Sequence, residues 1–286
     1  MKILVTGASG QLGYDVCQEL EHREIEYLGT ASTDMDITDR EAVWRVITDY
    51  HPDAVIHCAA YTAVDRAEEE PERAFAVNGQ GTRNIAEACG ETGAKLLYIS
   101  TDYVFSGEGT QPYEVDDATG PLNIYGKSKL AGEQAVKEIL EAHFIVRTSW
   151  VFGLHGNNFV KTMLRLSETH STVQVVNDQI GSPTYTMDLS PLLCDMVLTE
   201  KYGTYHATNE GICSWSEFAK AIFKKSNCST VVKEIPTSSY TRSKVIRPLN
   251  SRLSKKSLTN SGFLKLPTWQ EALGRYLEEK RCQKTD

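Results

Sequence analysis

The sequence predicts an α/β fold: a doubly wound parallel sheet with a smaller C-terminal lobe. Three observations lead there. Short apolar runs alternate with amphipathic helical stretches through the first half of the chain. A glycine-spaced turn, Gly7-Ala8-Ser9-Gly10-Gln11-Leu12-Gly13, separates the first run from the first helical stretch. Past Trp150 the alternation becomes irregular.

Taken in order, residues 2–6 form a short apolar strand and 11–23 carry helical periodicity. A second strand is expected at 26–29. Thr38-Asp39-Arg40-Glu41 has the pattern of a capping box and opens a helix to about Tyr50. Residues 54–58 read as one continuous apolar strand, His57 apart, as in a parallel strand covered on both faces. Pro71 stands near the start of a long helix reaching about Cys89. A strand at 95–100, a helix from Tyr125 to about Leu140 and a strand at 144–147 complete the first half. Strands joined by helices imply right-handed crossovers, and ligands then bind at the carboxyl ends of the strands. In the second half, 158–168 and 187–199 read as helices, and 173–176 and 203–208 as strands. Ser214-Trp215-Ser216-Glu217 and Thr268-Trp269-Gln270-Glu271 are two more capping boxes. The stretch 230–265 is basic and reads as loop-rich, with Arg242, Lys244, Arg247 and Arg252.

Bulk properties exclude several classes of function. A chain of 286 residues with 41% hydrophobic and 24% charged residues is an ordinary globular protein with room for a large core. A net charge of −8 argues against nucleic acid as a partner. No stretch is apolar enough for a membrane span, and the apolar run after Met1 is too short for a signal peptide, so the expected location is cytoplasmic. The seven cysteines lack a C-x-x-C pair and read as reduced thiols. No histidine cluster has the spacing of a metal site, and neither a G-x-S-x-G elbow nor a G-K-[ST] phosphate loop is present.

The motifs point to a redox site. Gly7, Gly10 and Gly13 permit a tight turn and close approach of a pyrophosphate to a helix N-terminus, with Ser9, Gln11 and Leu12 between them. We therefore expect a dinucleotide-binding domain over 1–150 and a mainly substrate-binding lobe over 151–286, with some segments returning to the first domain. The tip of the second strand, Gly29-Thr30-Ala31-Ser32-Thr33, carries neither the acid that holds a ribose 2′-hydroxyl nor an arginine for a 2′-phosphate. Small hydroxyl residues tolerate a phosphate, so NADPH is expected, with NADH usable. Asp36 and Ile37 stand where a loop meets the adenine, or Asp36 is an ordinary loop carboxylate before a helix. Ala59, Ala60 and Tyr61 follow the third strand, either against the cofactor or as a plain close turn.

Ser100-Thr101-Asp102-Tyr103 ends the next strand on the same edge. Tyr125 and Lys129 are four apart on one helix face. A nearby ammonium favours the phenolate and tunes the tyrosine for proton transfer, while Thr101 holds the oxygen that Tyr125 protonates. Thr101, Tyr125 and Lys129 are thus the candidate catalytic set for carbonyl reduction. Trp150 either packs on a sugar ring or fills the core between lobes. Arg247 and Asn250, in Arg247-Pro248-Leu249-Asn250-Ser251-Arg252, suit a diphosphate or simply decorate a loop.

Together, Gly7 to Gly13, Thr101, Tyr125 and Lys129 resemble the extended short-chain dehydrogenase/reductases. Longer strings narrow the likeness: His57-Cys58-Ala59-Ala60-Tyr61-Thr62-Ala63-Val64-Asp65, Ser100-Thr101-Asp102-Tyr103-Val104-Phe105, Arg147-Thr148-Ser149-Trp150-Val151 and Asp178-Gln179-Ile180-Gly181-Ser182-Pro183-Thr184. These are similar to the dTDP-4-dehydrorhamnose reductase family over nearly the whole chain. The resemblance implies NADPH-dependent reduction of the 4-keto group of dTDP-6-deoxy-L-lyxo-4-hexulose. It implies that Thr101 and Tyr125 hold the carbonyl oxygen, that Lys129 binds the nicotinamide ribose and depresses the Tyr125 pKa, and that Asp102, Tyr103 and Trp150 shape the sugar pocket. Some members bind magnesium at a dimer interface through a glutamate just after the G-[AS]-P-T turn. Here the stretch is Tyr185-Thr186-Met187-Asp188, without that glutamate, so no metal is expected and the chain reads as a monomer or weak homodimer.

Two other functions fit the same scaffold. An epimerase or 4,6-dehydratase would share the cofactor turn, but related dehydratases carry a glutamate where this chain has Tyr103. A regulatory subunit could keep the fold without activity, but need not keep Thr101, Tyr125 and Lys129 together.

Overall fold

The apolar runs of the first half become strands because their residues have helices on both sides to bury against. A computed structural model describes residues 1–241 and 245–283, so Arg242 and Lys244 of the basic stretch lie outside the described residues. The strands are β1 (Lys2–Thr6), β2 (Glu26–Thr30), β3 (Ala54–His57), β4 (Lys95–Thr101) and β5 (His143–Thr148). They join the later strand Gly203–His206 in one six-stranded sheet, ordered Gly203–His206, β5, β4, β3, β1, β2. Every pairing in it is parallel. The chain leaves β1 toward β2 and returns on the other side as β3. The carboxyl ends of β1 and β3 therefore flank the topological switch point, where a crevice opens.

Each face of the sheet has its own apolar layer. On one, Val16 and Leu20 of the first helix (Gln11–His22) meet Leu189, Leu193 and Met196 of the helix Thr186–Val197. On the other, Val43, Ile47, Ile85 and Val136 bring in Arg40–Tyr50, Thr82–Thr92 and Ile124–Ile139. A third cluster lies in the second half, where Phe152, Tyr185, Phe218, Trp269 and Tyr276 pack together. Among the described residues no helix is long and apolar enough to cross a membrane.

Several local expectations change. The long helix expected from Pro71 is three pieces: Pro71–Phe75, a π-helical turn Ala76–Gly81, and Thr82–Thr92. Apolar periodicity is blind to one wide turn inside an otherwise helical run. The first expected capping box is instead a plain N-cap at Asp39, whose carboxylate accepts from Glu41 N at 2.9 Å and Ala42 N at 3.2 Å. Thr38 instead donates its hydroxyl to Asp36 at 2.8 Å. The box at Ser214 and Glu217 is complete in both directions, at 3.1 and 2.7 Å. The basic stretch is not all loop: Val231–Ile235 pairs in parallel with Thr172–Val176.

Candidate active site

The glycine turn is shaped for close backbone approach. Gly7 ends β1 at φ +68°, and a Cβ there would lie 2.7 Å from the Ala59 nitrogen. The turn of β1 and the turn after β3 thus touch through backbone, which only glycine permits. The helix that follows has Gly10 at its N-cap, with no side-chain cap and no acidic residue in its first turn. Its uncapped N–H groups and the positive end of its dipole fit a pyrophosphate. Ser9 and Gly10 are exposed there, while Leu12 and Gly13 are buried. The Gln11 side chain faces elsewhere, accepting from Gly153 N at 3.1 Å and Asn158 Nδ2 at 2.9 Å, and so ties the turn to the second half of the chain.

At the tip of β2, Ser32 and Thr33 are exposed. The nearby Asp34 carboxylate turns back to its own loop and accepts from Ala31 N at 2.8 Å. Asp36 is likewise committed locally, to Thr38 N and Oγ1 at 2.9 and 2.8 Å, which is the loop-carboxylate reading. The Ile37 side chain is buried in the core rather than presented to a ligand. Ala59 and Ala60 are half-buried. The Tyr61 ring points away, its hydroxyl donating to Glu70 at 2.9 Å.

Thr101 closes β4 at the same sheet edge. Asn123 caps the helix Ile124–Ile139 by accepting from Gly126 N at 2.9 Å, which puts Tyr125 in the first turn and Lys129 one turn on. The Thr101 hydroxyl is close enough to the Tyr125 phenol to influence its ionisation. Burial pushes that phenol well above its ordinary range, and Thr101 pulls it only part of the way back. Tyr125 is therefore held as a protonated donor. The Tyr103 ring meets it edge-on, centroids 5.5 Å apart at 75°.

The resemblance gives Lys129 the task of depressing the Tyr125 pKa; in this structure its ammonium is engaged elsewhere. Its Nζ donates to the Ile99 carbonyl at 2.7 Å and sits 4.1 Å from the centre of the Tyr98 ring. Burial lowers the amine itself to about 7, with Glu133 pulling upward. Desolvation is the largest influence on each of the two groups.

Asp102 accepts from Thr101 at 3.0 Å, and its other oxygen has no hydrogen-bond partner among the described residues. Burial raises this carboxyl to about 6. Arg247 reaches the site from the second half, donating to the Tyr103 hydroxyl at 3.3 Å and to Asp65 at 2.8 Å. It also lines a cavity of about 400 Å³ with Asp178, Gln179, Thr237, Tyr240 and Ile246. The expectation for Asn250 is corrected. It is buried, its amide donates to Glu108 O and Gln111 O, and its oxygen accepts from Arg252 Nη1 at 2.9 Å. It holds a loop and has no hydrogen-bonding capacity left for a diphosphate. Trp150 stacks on Trp215 at 3.7 Å, against the apolar cluster of the second half. Its φ of +50° is uncommon for so bulky a residue and costs about 1–3 kcal/mol.

Sequence reasoning gave no role to Asn78, Ser128 and Glu133, and quoted His57 and Arg147 only inside longer strings. Burial of a polar type inside an apolar run was the available signal for His57 and Arg147.

Comparisons with known proteins agree with this geometry. A family model described as "RmlD substrate binding domain" matches residues 1–282. The dTDP-4-dehydrorhamnose reductase of Streptomyces griseus is 42% identical over 94% of this chain and 91% of its own. This chain belongs to the dTDP-4-dehydrorhamnose reductase family. A second relative, the spore coat polysaccharide biosynthesis protein SpsK of Bacillus subtilis, is 43% identical over 98% of each chain. The crystal structure of the Bacillus anthracis dTDP-4-dehydrorhamnose reductase, in complex with NADP, superposes with a TM-score of 0.94 at 45% identity, covering 97% of this chain and 99% of that one. Membership in the dTDP-4-dehydrorhamnose reductase family also fits the open, uncapped turn at Gly7 to Gly13.

Proposed function

We propose that the protein uses NADPH to reduce the 4-keto group of dTDP-6-deoxy-L-lyxo-4-hexulose, yielding dTDP-L-rhamnose in the last step of its synthesis. One observation carries this: the half-buried Tyr125 phenol stands beside Thr101 with Lys129 one turn on, at the sheet edge that holds the glycine turn. Residues 1–150 form the dinucleotide-binding domain. The substrate lobe lies within 151–286, and 186–206 returns to the first domain. The protein works in the cytoplasm, as a monomer or weak homodimer.

The backbone from Gly7 to Gly13 cradles the pyrophosphate, and Ala59 and Ala60 border the cofactor. When bound, NADPH supplies the hydride to the ketone carbon. Thr101 turns its one hydroxyl proton from Asp102 to the ketone oxygen and fixes its position. Tyr125 gives the proton as charge develops on that oxygen, since a phenol carries its proton throughout the neutral range. Lys129 holds the nicotinamide ribose. Arg247 pairs with the substrate diphosphate, exchanging the Asp65 carboxylate for it, and the cavity beside Arg247 takes the nucleoside. Tyr103, engaged by Arg247, shapes the sugar pocket. It is not the extra acid that elimination would need, which weighs against a dehydratase.

Turnover of NADPH with the 4-keto sugar nucleotide tests this reading. Tyr125→Phe is expected to keep cofactor binding and to lose about 10²–10⁴ in kcat. Normal turnover by that variant overturns the role of Tyr125, and no reductase activity in the folded wild type overturns the function.

A further inference from the structure

We propose that Asp65 is an internal stand-in for the substrate's diphosphate: it holds Arg247 while the site is empty, yields it when the nucleotide arrives, and takes it back as the product leaves. The proposal rests on Arg247 as the diphosphate ligand and adds the group that competes for it, and so limits affinity.

Arg247 can change partners without moving its backbone. Before it, the Ile246 carbonyl accepts from Asn123 Nδ2 at 2.9 Å, and Asn123 is buried. After it, Pro248 packs so closely on Gly107 that a Cβ there would lie 2.4 Å from the Pro248 Cβ. The Leu249 carbonyl accepts from Ile180 N at 2.8 Å, and Asn250 N donates to Gly107 O at 3.0 Å. The chain is thus pinned on both sides of Arg247. The side chain is looser, 27% exposed at the wall of the cavity of about 400 Å³. One of its nitrogens donates to Asp65 at 2.8 Å and the other to the Tyr103 hydroxyl at 3.3 Å.

The carboxylate that faces it is fixed as well. Asp65 lies on the short helix Val64–Ala67, whose last residue is fully buried. Glu68, next in the chain, accepts from Ile124 N at 2.7 Å, which ties Asp65 to the helix that carries Tyr125. The Asp65 side chain is 58% exposed, so its pair with Arg247 is screened by water and weak. A buried pair would resist exchange, whereas a screened one permits it. A diphosphate carries more charge than a carboxylate and accepts from a guanidinium in bidentate fashion, so it wins Arg247. Asp178, the carboxylate that lines the cavity, is committed to Thr237, accepting from its N at 2.9 Å and its Oγ1 at 2.5 Å. Once displaced, Asp65 stands as a like charge beside the bound diphosphate and favours its departure.

The dissociation constant of dTDP, at saturating NADP, is compared by calorimetry for the wild type, Asp65→Asn, Arg247→Met and the double variant, with melting temperature as the check on folding. Asp65→Asn keeps the shape and is expected to tighten dTDP about 2- to 5-fold, the equivalent of one screened ion pair. The gain is expected to shrink at high salt. Arg247→Met is expected to weaken dTDP about 10-fold or more, and Asp65→Asn to change little in that background. Affinity that is unchanged or weaker in Asp65→Asn overturns the proposal. So does a tightening that persists undiminished without Arg247, since Asp65 is then a plain repelling charge. If Asp65→Asn does not fold, Asp65→Ser gives the same comparison. Affinity unaffected by Arg247→Met removes Arg247 from the diphosphate site, and the proposal with it. A wild type that binds dTDP but leaves the 4-keto sugar untouched fails the reductase reading alone.

Discussion

Two polar networks are buried around the catalytic helix, and they are built from opposite chemistry. One is ionic. Glu133 takes Arg147 in a bidentate pair, Nε at 2.8 Å and Nη2 at 2.7 Å, and accepts Ser100 Oγ at 2.5 Å. The remaining Arg147 nitrogen donates to Val115 O at 3.1 Å, and its guanidinium faces the Phe105 ring. The other network carries no charge: Thr6 Oγ1 is 2.6 Å from His57 Nδ1, His57 Nε2 is 3.2 Å from Thr82 Oγ1, and Thr82 donates to the Asn78 carbonyl at 2.7 Å. Burial holds the His57 imidazole down at about 3. Lys129 feels both: Glu133 raises its pKa, while its own charge helps keep His57 neutral. The difference teaches how a low-dielectric site divides its work. Charge is placed where it can sustain the Lys129 ammonium, and neutral links hold the backbone against which an anionic cofactor lies.

The comparison can be broken at its ionic side first. Arg147→Met leaves Glu133 as a buried, uncompensated carboxylate and is expected to cost about 3–5 kcal/mol in denaturant unfolding. Pairing it with Glu133→Leu is expected to recover most of that. A loss no larger than a surface substitution would mean that the pair is not buried in solution.

Lys129 gives the next effect, with a pH signature. Its amine falls from 10.5 to about 7 in the folded protein, so the folded state binds this proton less readily than the unfolded chain. The resulting penalty is full below pH 7 and fades as pH rises toward the unfolded value. Lys129→Met is therefore expected to be more stable than wild type at pH 6 by about 2–3 kcal/mol, allowing for the lost bond to Ile99. The gain is expected to vanish near pH 10. Melting curves across this range check it, and a gain that grew with pH would reverse the assignment.

The neutral side is expected to respond least. Thr82→Val keeps the shape but leaves the His57 N–H and the Asn78 carbonyl with one partner fewer, at about 1–2 kcal/mol. A loss as large as that of Arg147→Met would erase the distinction between the networks.

Much of the fold was legible because it is written locally. Residues 54–56 are apolar without a break and, with His57, became β3, and Ser214 with Glu217 became the capping box their spacing promised. The glycine turn and the order of Thr101, Tyr125 and Lys129 marked the sheet edge that holds the candidate site. The π turn at Asn78 was not legible, since one wide turn leaves hydrophobic periodicity almost intact. Nor was the engagement of Asn250 with Glu108 and Gln111, far away in the chain.

By itself, then, the sequence determined the elements, the parallel sheet and the residue types brought to its edge, because periodicity and turn chemistry act over a few residues. Only the tertiary structure decided what those residues are to one another. Thr6 meets His57 across 51 positions, and Asn78 meets Ser128 across 50. It also decided the ionisation of Tyr125 and Lys129, because burial, which no local spacing records, is the largest influence on each.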